Sequence, residues 1–162
     1  NIPHLTGVGL GVDLIDRLAD EPQVVALKDS AGDWGLHVEF IRRCADRLNV
    51  FTHVSAMGLG AFAEGATGFV YSGTPVLGRR SREFYDLVSA GDFAAARPLQ
   101  AQMGRFSSGV HGIGTSPAGL KAAIDLVGRP GGYPRPPIKP LSKDQKAQVR
   151  AVLVRVGVLS PA

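Results

Sequence analysis

The sequence predicts an α/β fold in which a short parallel β-sheet comes first and a run of helices follows. Three short runs of apolar or β-prone residues lie in the first half of the chain, at residues 23–27, 49–54 and 67–72. Helical patterns separate these runs, and strands that alternate with helices are typical of βαβ units and parallel sheets. After residue 72 only helical patterns and loops remain.

The three runs have the composition of strands that are covered on both faces. They read QVVAL, NVFTHV and TGFVYS. Buried parallel strands are nearly continuous in apolar residues because helices cover both sides of the sheet. We therefore expect the three strands to lie side by side in one parallel sheet.

Amphipathic patterns predict the helices between the strands. One apolar face repeats through Val12, Ile15, Leu18 and Ala19. A second repeats through Trp34, Val38, Ile41, Ala45 and Leu48. Asp33 precedes this second pattern and is a suitable N-cap. A short apolar helix at about residues 59–64 leads to the third strand.

The second half of the chain is predicted to be helical. Helical patterns cover about residues 81–90, 92–106 and 118–127, and a loop rich in proline and glycine follows at 128–141. Ser142 and Gln145 form a capping-box pattern that opens a last helix. The glycine-rich stretch at Ser107–Gly114 lacks the Lys-Ser/Thr pair of a phosphate loop. We interpret it as a loop between two helices.

Composition excludes several classes of protein. The 162 residues carry a net charge of +4, and no basic run is interleaved with aromatic residues, so nucleic-acid binding is not expected. Cys44 is the single cysteine, which excludes a disulfide scaffold and favours a reducing compartment, the cytoplasm. No apolar stretch approaches the ~20 residues of a membrane span. Because Asn1 opens the chain inside a motif, we expect a segment of a longer protein.

Lys28 is the first candidate for catalysis. It follows Val24-Val25-Ala26-Leu27, at the carboxyl end of a predicted strand, where barrel enzymes build their active sites. An ammonium held against apolar walls loses hydration, so its pKa falls and the neutral amine becomes a nucleophile. The alternative is that Lys28 is merely the first solvated residue after the strand.

Ordered sequence blocks identify a family. Asn1-Ile2-Pro3-His4-Leu5-Thr6-Gly7 resembles a Y-N-x-P-x-x-[ST]-G motif without its tyrosine, and Lys28-Asp29-Ser30-Ala31-Gly32-Asp33 resembles a K-[DE]-[ST]-x-G-[DN] motif. Residues 65–72 resemble a G-A-x-G-x-[IV]-[SG] strand with Tyr71 as an extra residue. All three motifs are typical of the dihydrodipicolinate synthase/N-acetylneuraminate lyase superfamily, and the interval between the first two also matches.

The resemblance implies the C-terminal half of a (β/α)8 TIM barrel followed by a C-terminal helical segment. Residues 1–80 would hold the last strands and helices of the barrel, and residues 81–162 the final barrel helix and the helical segment. A complete barrel needs ~250 residues, so its other half would lie before Asn1.

The resemblance also implies a mechanism. Lys28 would form a Schiff base with pyruvate or another 2-oxo acid, with no metal and no cofactor. The family's tyrosine and its carboxylate-binding segment both fall before Asn1. Homo-oligomers, tetramers or dimers, are expected. Substrate contacts are expected from Leu5, Thr6 and Ser72. Val70 either faces the imine region through its carbonyl or is only barrel core, and His53 is a candidate because it ends a strand, where the family usually has glycine.

Leu5 bears on the substrate. Members of the family that make dihydrodipicolinate carry arginine at this position, and leucine cannot bind a carboxylate through a charge-assisted hydrogen bond. We therefore favour a 2-oxo-3-deoxy sugar acid or a 4-hydroxy-2-oxoglutarate-like substrate. Dihydrodipicolinate synthase is the alternative within the class. Sialic acid is disfavoured because Val54-Ser55-Ala56-Met57 lacks the expected acidic residues.

Two further interpretations stay open. His53, at the end of the second strand, either lines the pocket or is a partly buried structural histidine, whereas His4, His37 and His111 lack metal-ligand spacing and are expected at the surface or in loops. The chain as a whole is either part of an enzyme or a non-catalytic half-barrel, a fragment or binding module.

Overall fold

The computed structural model describes residues 1–161, apart from the side chains of Val54 and Ser55. The chain divides into two compact units. The first contains Asn1–Tyr71 and Phe84–Gln100, and the second contains Ser72–Glu83 and the chain from Ala101 onward. The sequence predicted a different boundary, at residue 80, between the barrel part and the C-terminal helical part, and that boundary stays a prediction.

A three-stranded parallel sheet lies in the first unit. Its strands follow chain order, as β1 (Ala26–Lys28), β2 (Asn49–Thr52) and β3 (Gly68–Phe69). Leu27 lies opposite Val50, and Phe51 lies opposite Gly68. A Cβ added at Gly68 would lie 2.6 Å from the Phe51 ring, so this register requires glycine there. The predicted parallel arrangement is confirmed.

All three strands are shorter than predicted. The chain turns before β1, where the Val24 N–H donates to the Glu21 carbonyl at 2.9 Å, so the predicted start at residue 23 is wrong. β2 ends at Thr52 because a helix begins at Val54. Beyond β3 the Val70 N–H still donates to the Thr52 carbonyl, at 3.2 Å, before the chain turns away. Apolar composition therefore predicted where the strands lie but not their ends.

Four helices precede or flank the strands of the first unit. They are α1 (Pro3–Thr6), α2 (Val12–Leu18), α3 (Trp34–Cys44) and α4 (Val54–Glu64). Asp33 caps α3, as predicted, since its side chain accepts a hydrogen bond of 3.0 Å from the Leu36 N–H. The prediction placed the start of α4 five residues too late, and it did not include α1.

The core of the first unit joins the sheet to the helices that cover it. Strand residues Leu27 and Val50 pack with Phe40 and Ile41 of α3, and all four are buried. The first unit also contains a cluster of aromatic rings. The rings of Phe69 and Phe84 lie 5.7 Å apart in this cluster, edge to face. This packing fixes α3 beside the sheet, and therefore fixes where the side chains of its first turn lie.

The second unit is helical. It contains α5 (Thr74–Leu77), α8 (Ala118–Leu126) and α9 (Lys143–Arg155), and α6 (Arg79–Ser89) and α7 (Phe93–Val110) contribute residues to both units. Ser142 and Gln145 form the predicted capping box of α9. The predicted loop at Ser107–Gly114 is partly wrong, because α7 continues through Val110. Among residues 1–161, no helix has both the length and the hydropathy that crossing a membrane requires.

Candidate active site around Lys28

Lys28 is the last residue of β1 and lies at the carboxyl edge of the sheet. Because the three strands are parallel, the residues that follow β2 and β3 lie at the same edge. These residues are His53 and Val70. Ligand sites of parallel α/β folds lie at this edge, since loops of several strands converge there.

The amine of Lys28 is half-buried and held by its own turn. Nζ donates a hydrogen bond of 2.9 Å to the Asp29 carbonyl and a second to Ser30 Oγ. Both acceptors belong to the two residues that follow Lys28. The position of the amine therefore depends on the conformation of the turn at residues 28–30.

Burial lowers the pKa of Lys28, and the neighbouring Asp29 carboxylate opposes this effect without reversing it. Desolvation disfavours the charged ammonium, so the neutral amine forms at lower pH than in a solvated lysine. A neutral amine is the form that attacks a carbonyl carbon. The nucleophilic form of Lys28 is therefore more accessible than that of a solvated lysine.

Asp29 is almost completely buried, with 2% of its surface exposed. One carboxylate oxygen, Oδ1, accepts from Asn1 Nδ2 at 2.9 Å and from the Ala31 N–H at 3.2 Å. The other, Oδ2, lies 3.0 Å from Nδ1 of His37. Burial by itself would raise the pKa of Asp29, but the hydrogen bonds, that from His37 first, lower it overall.

Asn1 joins the two sequence motifs. Its backbone nitrogen donates to the Lys28 carbonyl and its own carbonyl accepts from the Ser30 N–H, both at 2.8 Å. Its side-chain oxygen accepts from the Leu10 N–H at 3.0 Å. Asn1 therefore continues the parallel pairing pattern on the outer side of β1, which explains why its motif accompanies that of Lys28.

His37 was wrongly predicted to be a surface or loop residue. It lies in the first turn of α3 and is fully buried, because the buried face of that helix includes His37, Phe40, Ile41 and Cys44. The sequence contained a signal for this burial. His37 lies four residues before Ile41, and residues four apart lie on the same face of a helix. His4 and His111 are exposed, as predicted.

Two predicted substrate residues lie in or beside α1. The Leu5 side chain is 74% exposed. The hydroxyl of Thr6 lies 2.9 Å from the Val8 carbonyl, which stabilises the turn after α1. Asn1 connects this segment to the Lys28 turn, so both residues belong to the unit that contains the lysine.

The other three predicted substrate residues follow β2 and β3. His53 is half-buried and occupies the N-cap position of α4. Val70 is 54% exposed just after β3. Ser72 belongs to the second unit, where its Oγ lies 3.2 Å from Nε2 of His111. Within the first unit, therefore, the structure brings Lys28, His53 and Val70 to one sheet edge, and their roles stay predictions.

In the described part of the chain, no group of three or more His, Cys, Asp or Glu residues is arranged to hold a metal ion. Nζ of Lys28 has one backbone carbonyl and one hydroxyl as its acceptors.

Known proteins resemble this chain over nearly all of its length. The sequence profile of the dihydrodipicolinate synthetase family matches residues 1–156. A 4-hydroxy-tetrahydrodipicolinate synthase from Halorhodospira halophila is 30% identical over 98% of this chain and 53% of its own length. An uncharacterized DapA-like lyase from Pyrobaculum islandicum is 31% identical over 98% of this chain and 56% of its own.

Solved structures agree with the sequence comparisons. The crystal structure of a dihydrodipicolinate synthase from Bacillus anthracis matches 94% of this chain and 52% of its own, with a TM-score of 0.86 and 30% identity. The chain thus spans about half the length of the relatives that it matches. Its parallel sheet and helices form the C-terminal half of a TIM barrel, followed by a helical segment. The chain belongs to the dihydrodipicolinate synthetase family.

Proposed function

We propose that this chain supplies the Schiff-base lysine of a class I lyase or aldolase that acts on pyruvate or another 2-oxo acid. The main supporting observation is the position of Lys28, a half-buried amine of lowered pKa at the carboxyl end of β1. Membership of a lyase family agrees with this chemistry. The tyrosine and the carboxylate-binding segment of the family would come from sequence before Asn1.

The reaction begins with the neutral Lys28 amine. Its lone pair attacks C2 of the 2-oxo acid, and the resulting carbinolamine loses water to give an iminium ion. The positive nitrogen then accepts the electron pair that C3 releases when it loses a proton or when the C3–C4 bond breaks. C3 of the resulting enamine then takes up a proton, or bonds to the carbonyl carbon of an aldehyde, which restores the iminium ion. Hydrolysis of this ion returns the free amine and the 2-oxo acid product.

The surroundings of Lys28 support its role as a nucleophile more than as a simple anion-binding cation. Nζ is bound by neutral acceptors, the Asp29 carbonyl and Ser30 Oγ, and the Asp29 carboxylate is occupied by Asn1, Ala31 and His37. Among the described residues, therefore, no carboxylate accepts a hydrogen bond from the amine. The amine can lose its proton without breaking an ion pair.

Reductive trapping tests this proposal. The natural protein that contains residues 1–162 is mixed with pyruvate and borohydride, and the modified peptide is located by mass spectrometry. We expect a single stable adduct, on Lys28. Lys121, which donates to the Gly131 carbonyl at 2.7 Å in the second unit, is a matched control because it is also a partly buried lysine. An adduct on Lys121, or none at all, would refute the proposal.

Leu5 supports a substrate without a second carboxylate at this point. Its exposed, apolar side chain offers no cation. We propose a 2-oxo-3-deoxy sugar acid, which needs only one carboxylate, or a 4-hydroxy-2-oxoglutarate-like substrate, whose second carboxylate would be bound away from residue 5. Dihydrodipicolinate synthase is the second candidate, because several of the similar proteins have the name 4-hydroxy-tetrahydrodipicolinate synthase.

The Leu5→Arg variant separates these two candidates. We expect the wild-type protein to convert pyruvate and aspartate semialdehyde slowly, and Leu5→Arg to raise that rate, since arginine can bind the additional carboxylate. Leu5→Met is the control, because it changes the shape of the side chain without adding charge. Fast wild-type turnover of this pair would instead establish the synthase activity.

The predicted cytoplasmic location and homo-oligomeric state, a tetramer or a dimer, are part of the same proposal. Sedimentation velocity on the natural protein would measure the oligomeric state. A non-catalytic half-barrel, a binding module, would sediment as a defined species but form no adduct with pyruvate.

A further inference from the structure

The buried pair Asp29 and His37 has no part in the chemistry proposed above, yet it lies directly behind the reactive turn. Successive residues of an extended strand point to opposite faces. Lys28 therefore points to one side of the sheet edge, and Asp29 points to the other side, where α3 covers it. Asp29 is 2% exposed and His37 is fully buried.

The hydrogen bonds of this pair assign its protonation. An ionised carboxylate can only accept, so Nδ1 of His37, 3.0 Å from Asp29 Oδ2, must carry the proton. Nε2 of the same ring is buried and has no hydrogen-bond partner within the described part of the chain. Placing an imidazole here leaves one nitrogen unsatisfied, which carries the desolvation cost of a buried polar group without a partner.

A leucine at residue 37 would avoid this cost and would match the apolar neighbours on α3. We attribute the presence of histidine at this position to its other ring nitrogen, Nδ1, which contacts Asp29. That contact is the direct side-chain link between α3 and the turn at residues 28–30. The core fixes α3 through Phe40 and Ile41.

The same carboxylate holds the turn from two further directions. Asp29 Oδ1 accepts from Asn1 Nδ2 and from the Ala31 N–H. The Lys28 amine is in turn bound by the Asp29 carbonyl and Ser30 Oγ. A continuous path of contacts therefore runs from α3 through His37 and Asp29 to the amine.

We propose that Asp29 and His37 are positioning residues of the Schiff-base reaction: they fix the turn that places the Lys28 amine for attack on the carbonyl carbon. This inference rests on the proposed function of Lys28. Neither residue touches the substrate. Their effect is on the geometry of the attacking nitrogen, where a displacement of about 1 Å can lower a rate about 100-fold.

The test measures how fast the imine forms in variants of His37. In His37→Asn the amide nitrogen reaches the place of Nδ1, whereas in His37→Gln it reaches the place of Nε2. We expect His37→Asn to form the pyruvate imine within a few-fold of the wild-type rate. His37→Gln and His37→Leu should be slower by about 100-fold, because the Asp29 contact is lost.

A matched core variant separates positioning from stability. Leu48→Ala removes a buried side chain of the same core, beyond the end of α3 that lies opposite His37, and lowers stability. With all rates expressed per folded protein, Leu48→Ala should form the imine at the wild-type rate. Comparable slowing in Leu48→Ala and in His37→Leu would mean that the role of His37 is only structural.

The outcomes separate this inference from the proposed function. If the wild-type protein forms no adduct on Lys28, the proposed function fails. If the wild type forms the adduct and His37→Asn and His37→Gln form it equally fast, the positioning role is overturned while the Schiff-base chemistry stands. The Asn and Gln variants decide this comparison even if His37→Leu does not fold.

Discussion

Two polar clusters in the first unit each join parts of the chain that are far apart in sequence, and they do so in opposite environments. The Asp29 cluster is buried and joins Asn1, the Lys28 turn and α3. The other cluster is exposed and joins α2 to α3. Its members are Asp13, Asp16, Asp20, Arg43 and Arg47.

The exposed cluster contains more ion pairs with shorter distances. Asp16 accepts from Arg43 and from Arg47, each at 2.5 Å, and Arg47 also reaches Asp20 at 2.7 Å. Hydrogen bonds from Arg47 and Arg43 lower the pKa of Asp16, and the hydrogen bonds that Arg47 donates to Asp16 and Asp20 raise the pKa of Arg47. Water surrounds these groups in both the folded and the unfolded chain, so the pairs add little stability.

The buried cluster contains one pair at a longer distance, yet each of its members depends on the others. Removing one leaves a polar group in a dry environment, which costs more than the loss of an exposed pair. The number of ion pairs and their short distances therefore do not show which cluster matters more to the protein. That depends on how deeply the cluster is buried and on the group that it holds, which for the Asp29 cluster is the turn of Lys28.

The largest effect is expected from Lys28, the residue that the buried cluster holds. Lys28→Ala and Lys28→Arg should each lower turnover by several orders of magnitude, since no other group supplies the imine nitrogen. Arginine keeps the positive charge but stays protonated and cannot attack. Steady-state kinetics on the natural protein measure this loss. Substantial activity in Lys28→Arg would mean that the lysine only attracts an anion.

Asp29→Ala should lower the free energy of unfolding by about 2–3 kcal/mol, because Nδ1 of His37 loses its acceptor in a buried site. The measurement is urea denaturation at neutral pH. Since the pKa of Asp29 is lowered in the folded protein, its stabilising effect is present above the ordinary value of 3.8 and is lost as the pH falls through the folded value. Equal stability of Asp29→Ala and wild type would remove the contrast between the clusters.

The pH dependence of imine formation sharpens the same contrast. Burial lowers the pKa of Lys28, so the rate of imine formation should reach half its maximum below pH 10.5, the ordinary value. The Asp29 carboxylate favours the ammonium, and therefore Asp29→Asn should move the midpoint to still lower pH. Stopped-flow measurement of imine formation against pH tests this. A shift to higher pH in Asp29→Asn would contradict the assigned electrostatics.

The smallest effect is expected from the exposed cluster. Arg47→Gln removes the contacts with Asp16 and Asp20, yet thermal unfolding should shift only slightly. The difference from wild type should vanish at about 1 M salt, where the Debye length is about 3 Å. Arg42→Gln, which removes a single exposed pair with Glu64, is the matched control. A large, salt-independent loss in Arg47→Gln would reverse the ranking of the two clusters.

Local sequence signals predicted the elements of the fold well. The N-cap at Asp33 and the capping box at Ser142 depend on residues within one helical turn, and both are present. The ends of the strands were harder to predict. The turn at Glu21–Val24 determines where β1 can begin, and the start of α4 determines where β2 ends. An apolar run cannot reveal where its backbone leaves the sheet.

The candidate site was only partly accessible from sequence. Lys28 could be found because it follows an apolar run and lies within a recognisable motif. His37 was missed because a histidine carries no fixed preference for core or surface, and the apolar face of α3 was traced through Trp34 instead. The contacts of Asp29 with Asn1 and His37 depend on tertiary packing, which no local pattern encodes.

The hydrogen bond between Asn1 and the Lys28 carbonyl also affects the order of folding. It closes a loop of 27 residues. In an otherwise unfolded chain, the length-dependent part of this closure costs about 3 kcal/mol of entropy. Formation of α2, which lies inside the loop, shortens the free chain and reduces that cost. We therefore expect the two motifs to meet, and the Lys28 amine to acquire its fixed position, only after α2 has formed.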